Sequence, residues 1–148
     1  MVHCNMPTCQ NDWEIFMFNF HSAYLNGVLD DSEIIYMEQP PYHEVASHSR
    51  YVVKLCKSLY GLKQAGRKWY DMLCGGLADI GFQKSVADPA VFFIHTGSNI
   101  VFLFIHVDDT TMTGSSMDLI KKYEQQIGEM FDITHLGPVS WLLGLAII

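Results

Sequence analysis

The stretch "NIVFLFIHVDDTTMTGSS", residues 99–116, decides how this chain is expected to fold. Seven of the eight residues from Ile100 to Val107 are apolar, His106 being the exception, and they run straight into two adjacent carboxylates, Asp108 and Asp109. Aromatic and β-branched residues dominate, so the run reads as a strand buried on both faces, with the turn after it on a cleft floor. Buried charge is costly unless it is paired or holds a metal. A plain hairpin turn is one account of the pair, because Asp bonds local backbone N–H groups. Two adjacent carboxylates also repel, and a divalent cation is the usual remedy; oxygen ligands favour Mg²⁺ or Mn²⁺ over zinc.

Working outward, "TTMTG" returns from the turn, and Ser115 or Ser116 is placed to cap a helix with Ile120, Tyr123, Ile127 and Met130 on one stripe. Upstream, "AVFFIH" is a strand joined to the central one by a turn at residues 96–99. From Lys63 the period changes: Trp69, Leu73, Leu77 and Ile80 recur at helical spacing, and Gly81 closes that helix. "WEIFMFNF" (13–20), "IIYMEQPP" (34–41) and "YVVKLCKSL" (51–59) read as further strands, the first followed by a turn at Asn26-Gly27 and the last ended by Gly61. The C-terminal "DITHLGPVSWLLGLAII" is strand-like and apolar to its end, as if the natural domain continued past Ile148. Strands interleaved with two helices imply an α+β fold, an antiparallel sheet with helices packed on one face.

Composition narrows the classes. The 148 residues are 49% hydrophobic and only 17% charged, against about 25% charged in an average domain. No run approaches the ~20 apolar residues of a membrane helix, and no signal-peptide pattern opens the chain, so it reads as intracellular with no membrane partner. A net charge of −7 argues against a general nucleic-acid coat protein. Yet residues 50–68 hold six basic residues (Arg50, Lys54, Lys57, Lys63, Arg67 and Lys68) and no acid, either a solvated face or a phosphate-facing strip. Cys4 and Cys9 beside His3 in the unpatterned tail 1–10 read as free thiols or, alternatively, a zinc site; Cys56 and Cys74 read as small core hydrophobes.

A two-metal phosphoryl-transfer site needs more carboxylates, and the place to supply one is the end of "WEIFMFNF", where the chain has Asn19. Together, "NDWEIFMFNFHSAYLNGVLDDSEIIYMEQPP", "KLCKSLYGLKQAGRKWYD", "ADPAVFFI", "VDDTTMTGSS" and "LGPVSWLLGLAI" resemble the reverse transcriptase of copia-type LTR retrotransposons, in uninterrupted order from Asn11 to Ile148. The resemblance implies a partial polymerase palm, with part of the fingers, over 11–148. It implies RNA- and DNA-templated DNA synthesis from dNTPs on a primer–template, with two Mg²⁺ (or Mn²⁺) ions. Asp108 matches the turn aspartate that holds metal directly, Asp109 the less critical second one, and Asn19 the place of the first catalytic aspartate. Tyr24 matches the aromatic residue under the incoming sugar, Gln64 a residue touching the template–nucleotide pair, and Lys63, Arg67 and Lys68 a phosphate-facing surface.

Two positions depart from the family pattern. Asn19 brings no negative charge, and losing a carboxylate that touches the metal should cost more than the ~10–100-fold lost at outer positions. His106 stands where the family has Tyr, and reads as a core residue rather than a ligand or base. The fingers segment upstream and the thumb and RNase H regions downstream are not in the sequence. The expectation is a copia-type reverse-transcriptase palm whose polymerase activity is lost or crippled. The alternatives are a non-catalytic nucleic-acid- or protein-binding module, or a relic without function.

Overall fold

A computed structural model describes residues 11, 13–45, 51–139, 141–142 and 145–146, the last four by backbone alone. The tail with Cys4 and Cys9 lies outside the described residues, as does Arg50. In chain order the elements are β1 (Ile15–Phe20), α1 (Ala23–Asn26), β2 (Tyr36–Glu38), β3 (Val52–Lys54), α2 (Ala65–Asp79), β4 (Gln83–Lys84), β5 (Val91–Thr96), β6 (Asn99–His106), β7 (Asp109–Gly114), α3 (Met117–Met130), β8 (Ile133–Pro138), β9 (Trp141–Leu142) and β10 (Leu145–Ala146). They fall into two compact units, Ala23–Met72 and the residues on either side of that span. The class is α+β, as the pattern of strands and helices required.

The unit flanking residues 23–72 is built on a six-stranded antiparallel sheet in the order β4-β5-β6-β7-β1-β8. β1, first in the chain, lies between β7 and β8, so the sheet is closed by contacts far apart in sequence. Alternation along the strands gives two unlike faces. One carries Phe18 and Phe20 of β1, Val101 and Leu103 of β6, Met112 of β7 and Phe92 of β5, all buried. The helices cover this face. Phe131, just past α3, meets Phe20 edge-on at 5.5 Å, and Tyr123 of α3 meets Phe82 at 5.3 Å. Full burial of each such side chain contributes about 1.5–3 kcal/mol.

The opposite face is only partly covered: Thr111 and Thr113 of β7 are buried there. Trp13, Phe93, Phe102 and Phe104 lie there half-buried, in a row of ring contacts 6.3–6.5 Å apart. β6 is therefore buried on one face, not on both as its composition suggests. An apolar run reports strand preference, whereas burial needs a second layer, and the helices supply one on a single side.

Local signals account for several ends. Gly81, at φ +97°, closes α2: its N–H bonds the Ala78 carbonyl and Phe82 N–H the Leu77 carbonyl, a Schellman arrangement. Ser116 is the N-cap of α3 but makes no side-chain cap bond, while the Ser115 hydroxyl accepts from Ile100 N–H and donates to Asn99. Ile120, Tyr123 and Ile127 are buried as the stripe predicts; Met130 is exposed. The C-terminal apolar run divides into β8, bulged against β1 between Met17 and Phe18, and the separate β9–β10 pair.

In the 23–72 unit, β2 and β3 form a two-stranded ribbon pairing Tyr36 with Lys54 and Glu38 with Val52. The run 51–59 reads as one strand to Gly61, but β3 stops at Lys54. Leu55 N–H still bonds Ile35, after which the Cys56 carbonyl accepts from Leu29 N–H and Lys57 bridges to Val28. Changing partners ends the ladder. Cys56 is exposed rather than in a core.

Candidate active site

β6 and β7 are joined by a two-residue turn. His106 and Asp109 are its closing pair, directly opposed across the strands, and Val107 and Asp108 are its centre. Asp109 therefore begins β7 rather than belonging to the turn itself. Val107 has φ +62°. A β-branched residue in that region is a genuine outlier, with a cost of order 1–3 kcal/mol. The same register carries on into β1, where Asn19 opposes Asp109. The end of β1 is tied to the turn by Phe20 N–H donating to the Asp108 carbonyl at 2.9 Å.

Directly opposed residues point to the same side of a sheet. His106, Asp109 and Asn19 thus form a row across three adjacent strands, on the face away from the helices, with Asp108 in the turn beside them. His106 and Asp109 are exposed, and Asn19 and Asp108 half-buried. His106 is not the core residue that its apolar neighbours suggested. The turn itself is not deeply buried: His106, Val107 and Asp109 are exposed and Asp108 is half-buried.

The residues fit two hard dications poorly. The Asn19 amide donates from Nδ2 to Asp109 Oδ1 at 3.4 Å, directing an N–H at an oxygen that a cation would need. Among the described residues no three His, Cys, Asp or Glu side chains converge as a metal site. Two carboxylates offer two negative charges to four positive ones, and Mg²⁺ demands near-ideal octahedral oxygen coordination. The register brings Asn19 beside Asp109 and the turn, but the charges there fall short of what two dications need.

The other site residues belong to the 23–72 unit. Tyr24, in α1, packs its ring on Tyr60 with centroids 4.9 Å apart, and Gly66 leaves room beside its hydroxyl. Its backbone is held from behind. The fully buried Ser58 donates its hydroxyl to the Tyr24 carbonyl, and Ser58 N–H donates to the Gly27 carbonyl at 2.8 Å. Gly27 is required by close approach: a Cβ there would lie 2.6 Å from Ser58 Oγ and 3.1 Å from the Trp69 backbone nitrogen. Gln64, half-buried, accepts Lys68 N–H at its backbone carbonyl, at the start of α2.

The basic residues are not equally available. Lys68 Nζ lies 2.8 Å from Asp30 and 2.6 Å from Glu33, with a side chain only 20% exposed. The Lys68 ammonium, helped by Ser32, lowers the Asp30 carboxyl to about 2. The two carboxylates in turn raise the Lys68 ammonium. Arg67 pairs loosely with Asp71 at 3.6 Å on the exposed side of α2, and Lys63 is exposed. Ser58, Asp30 and Glu33 carry no signal in the sequence, and Gly27 is marked there only as part of a turn. A net count over residues 50–68 hides the two acids, which lie more than thirty positions upstream of Lys68.

The family described as "Reverse transcriptase (RNA-dependent DNA polymerase)" matches residues 6–148. The chain is 38% identical over 138 residues to the retrovirus-related Pol polyprotein from transposon TNT 1-94 of Nicotiana tabacum, covering 93% of this chain and 10% of that protein. It is 36% identical over 133 residues to the corresponding polyprotein from transposon RE1 of Arabidopsis thaliana, covering 90% and 9%. A Ty5-1 transposon protein of Saccharomyces cerevisiae is 30% identical over 126 residues, covering 85% and 40%. The chain thus spans about a tenth of the plant polyproteins it matches. No solved structure matches it. Among the described residues no helix is long and apolar enough to cross a membrane.

Proposed function

Because the chain belongs to the reverse transcriptase family, we propose that it is the palm segment, with part of the fingers, of a copia-type retrotransposon Pol polyprotein whose polymerase chemistry is lost or crippled. The observation that carries this reading is the Asn19–Asp109 pair. The strand that should present a third carboxylate is in register with the turn, yet presents an amide whose N–H faces the remaining acid. Templated addition of a dNTP to a primer requires charge neutralisation at the transferred phosphoryl group, by ions that this donor set does not suit. In this reading Asp108 and Asp109 are the surviving metal-facing acids, Tyr24 lies under the sugar, Gln64 near the template–nucleotide pair, and Lys63 and Arg67 toward phosphates. Lys68 acts instead through Asp30 and Glu33, holding their loop to α2.

Primer extension on an RNA or DNA template with Mg²⁺ or Mn²⁺ tests the proposal. The expected result is incorporation no higher than that of Asp108→Ala. Robust incorporation by the unmodified chain, abolished in Asp108→Ala, overturns it. The rival reading as a nucleic-acid-binding module is not favoured, since Lys68 already has two carboxylate partners and Arg67 one.

A further inference from the structure

We infer that the free edge of β8, with the groove between it and α3, is a docking site for an extended peptide segment that carries arginine or lysine at alternate positions. The site lies outside the polymerase reading and does not depend on it. β8 is the last strand of its sheet, paired only with β1 among the described residues. His21 N–H donates to the Asp132 carbonyl at 2.8 Å, and the same register opposes Phe20 to Ile133, Asn19 to Thr134 and Phe18 to His135. Hydrogen-bonded and non-hydrogen-bonded pairs alternate along an antiparallel ladder. The backbone groups of Ile133 and His135 therefore point away from β1, toward the unpaired edge. Phe20 agrees from across the ladder, since its N–H is turned to the Asp108 carbonyl on its other side. The far half of β8 is blunted by the bulge in its pairing with β1 and by Pro138, which has no N–H to offer. The stretch left open is the one beside the groove.

The groove selects the occupant. It has a volume of about 390 Å³, and Ile133 and His135 line it from the strand side. Gly128 leaves its floor open, since a Cβ there would come within 3.3 Å of Ile133 Cδ1. Three carboxylates, Glu124, Glu129 and Asp132, line it against one lysine, Lys121. Glu124 is paired with His135 at 2.8 Å. Glu129 accepts the Gln125 amide at 3.1 Å, and among the described residues neither Glu129 nor Asp132 has a cationic partner. Both stand at the C-terminal end of α3, whose last turn holds no basic residue and whose helix dipole adds further negative potential. A guanidinium or ammonium is attracted there, whereas a nucleic-acid phosphate is repelled. Side chains of an extended segment alternate, so every second one faces the groove while its backbone meets the Ile133 and His135 groups.

The test titrates the full chain with a fluorescein-labelled Arg-Val-Arg-Val-Arg peptide, read by fluorescence anisotropy and by amide NMR shifts. Binding should saturate and move the Ile133 and His135 amide signals, while those of Val52 and Val53 in the β2–β3 ribbon stay in place. The same peptide with Glu for every Arg should not bind. An N-methylated form, which keeps the charges and loses the backbone donors, should bind at least about tenfold more weakly. Glu129→Gln combined with Asp132→Asn, two isosteric changes at exposed positions, should weaken binding about fivefold. Equal affinity for the Glu peptide overturns the inference, as does affinity undiminished in the double variant. Equal affinity for the N-methylated form also overturns it, leaving a groove that takes a cation but not a strand. Shifts confined to other residues, or no binding of the Arg peptide, overturn it outright.

Discussion

Two pairs of antiparallel strands have opposite fates. β6–β7 and β2–β3 both follow the rule that apolar, β-branched and aromatic residues make strands. In the first, Val101, Leu103 and Met112 are completely buried beneath helices. In the second, Tyr36, Val52 and Val53 are 59%, 55% and 40% exposed. The β2–β3 ribbon is three residues long on each side and has no third strand among the described residues, whereas β6 lies in the interior of a six-stranded sheet. Strand propensity is shared by both; the covering layer is not. Only an amphipathic stripe such as Ile120, Tyr123 and Ile127 of α3 turns a strand into a core.

The largest effects should therefore follow burial and not composition. Leu103→Ala removes a fully buried side chain from under the helices and is expected to cost about 3 kcal/mol by urea unfolding. Val53→Ala in the ribbon should cost less than about 0.5 kcal/mol, as surface changes do. Equal losses at the two sites would break the comparison.

The 23–72 unit is not loose throughout, and Gly27 locates its tight place. Gly27→Ala drives a methyl onto Ser58 Oγ and toward the Trp69 backbone. The expected loss is about 2 kcal/mol in urea unfolding, since overpacking against backbone is relieved only by moving it. A neutral result would mean that the Ser58–Gly27 contact does not fix the Tyr24 backbone.

A finer test lies within β7. Thr110 is fully buried on the helix-covered face, with a hydroxyl that finds no hydrogen-bond partner among the described residues. Thr113, almost as buried, donates its hydroxyl to the Glu14 carbonyl at 2.8 Å. The same change should have opposite signs: Thr110→Val is expected to stabilise by about 1 kcal/mol and Thr113→Val to destabilise by about 1 kcal/mol. Thermal unfolding of both variants reads the difference, and matching signs would remove hydroxyl satisfaction as its cause.

Much of this was legible in the sequence, and for reasons that can be named. The α3 stripe, the Gly81 stop and the 96–99 turn are local signals, written within a few residues of where they act. The "VDD" and "SLYGLKQA" motifs carried the family assignment, and Asn19 was conspicuous against them. What the sequence hid was pairing between distant segments. The resemblance already put Asn19 beside the turn, but nothing local announces that His106 shares a face with Asn19 and Asp109, or that Asp30 and Glu33 claim Lys68. Nor does an apolar run say which of its faces will be covered, which is why β6 was read as buried on both sides and Cys56 as core.

The smallest expected effect concerns that hidden pairing, and its sign can be worked out. The Lys68 hydrogen bond lowers Asp30 from its ordinary value of 3.8 to about 2 in the folded protein. Between these values the unfolded chain binds a proton that the folded protein refuses, so acid favours unfolding. The contribution is complete above about pH 4 and is lost as the pH falls to about 2. Asp30→Asn removes the titrating group, so its melting temperature should lie below that of the unmodified chain at pH 5. The gap should then narrow steadily as the pH is lowered through 4 and 3. The Asp30 carboxylate is exposed to solvent, so the gap should also shrink with added salt. A gap that stays constant from pH 5 to pH 2.5 would mean that the Asp30 carboxylate adds no stability through Lys68. The loop "LDDSE" would then be held to α2 by packing alone.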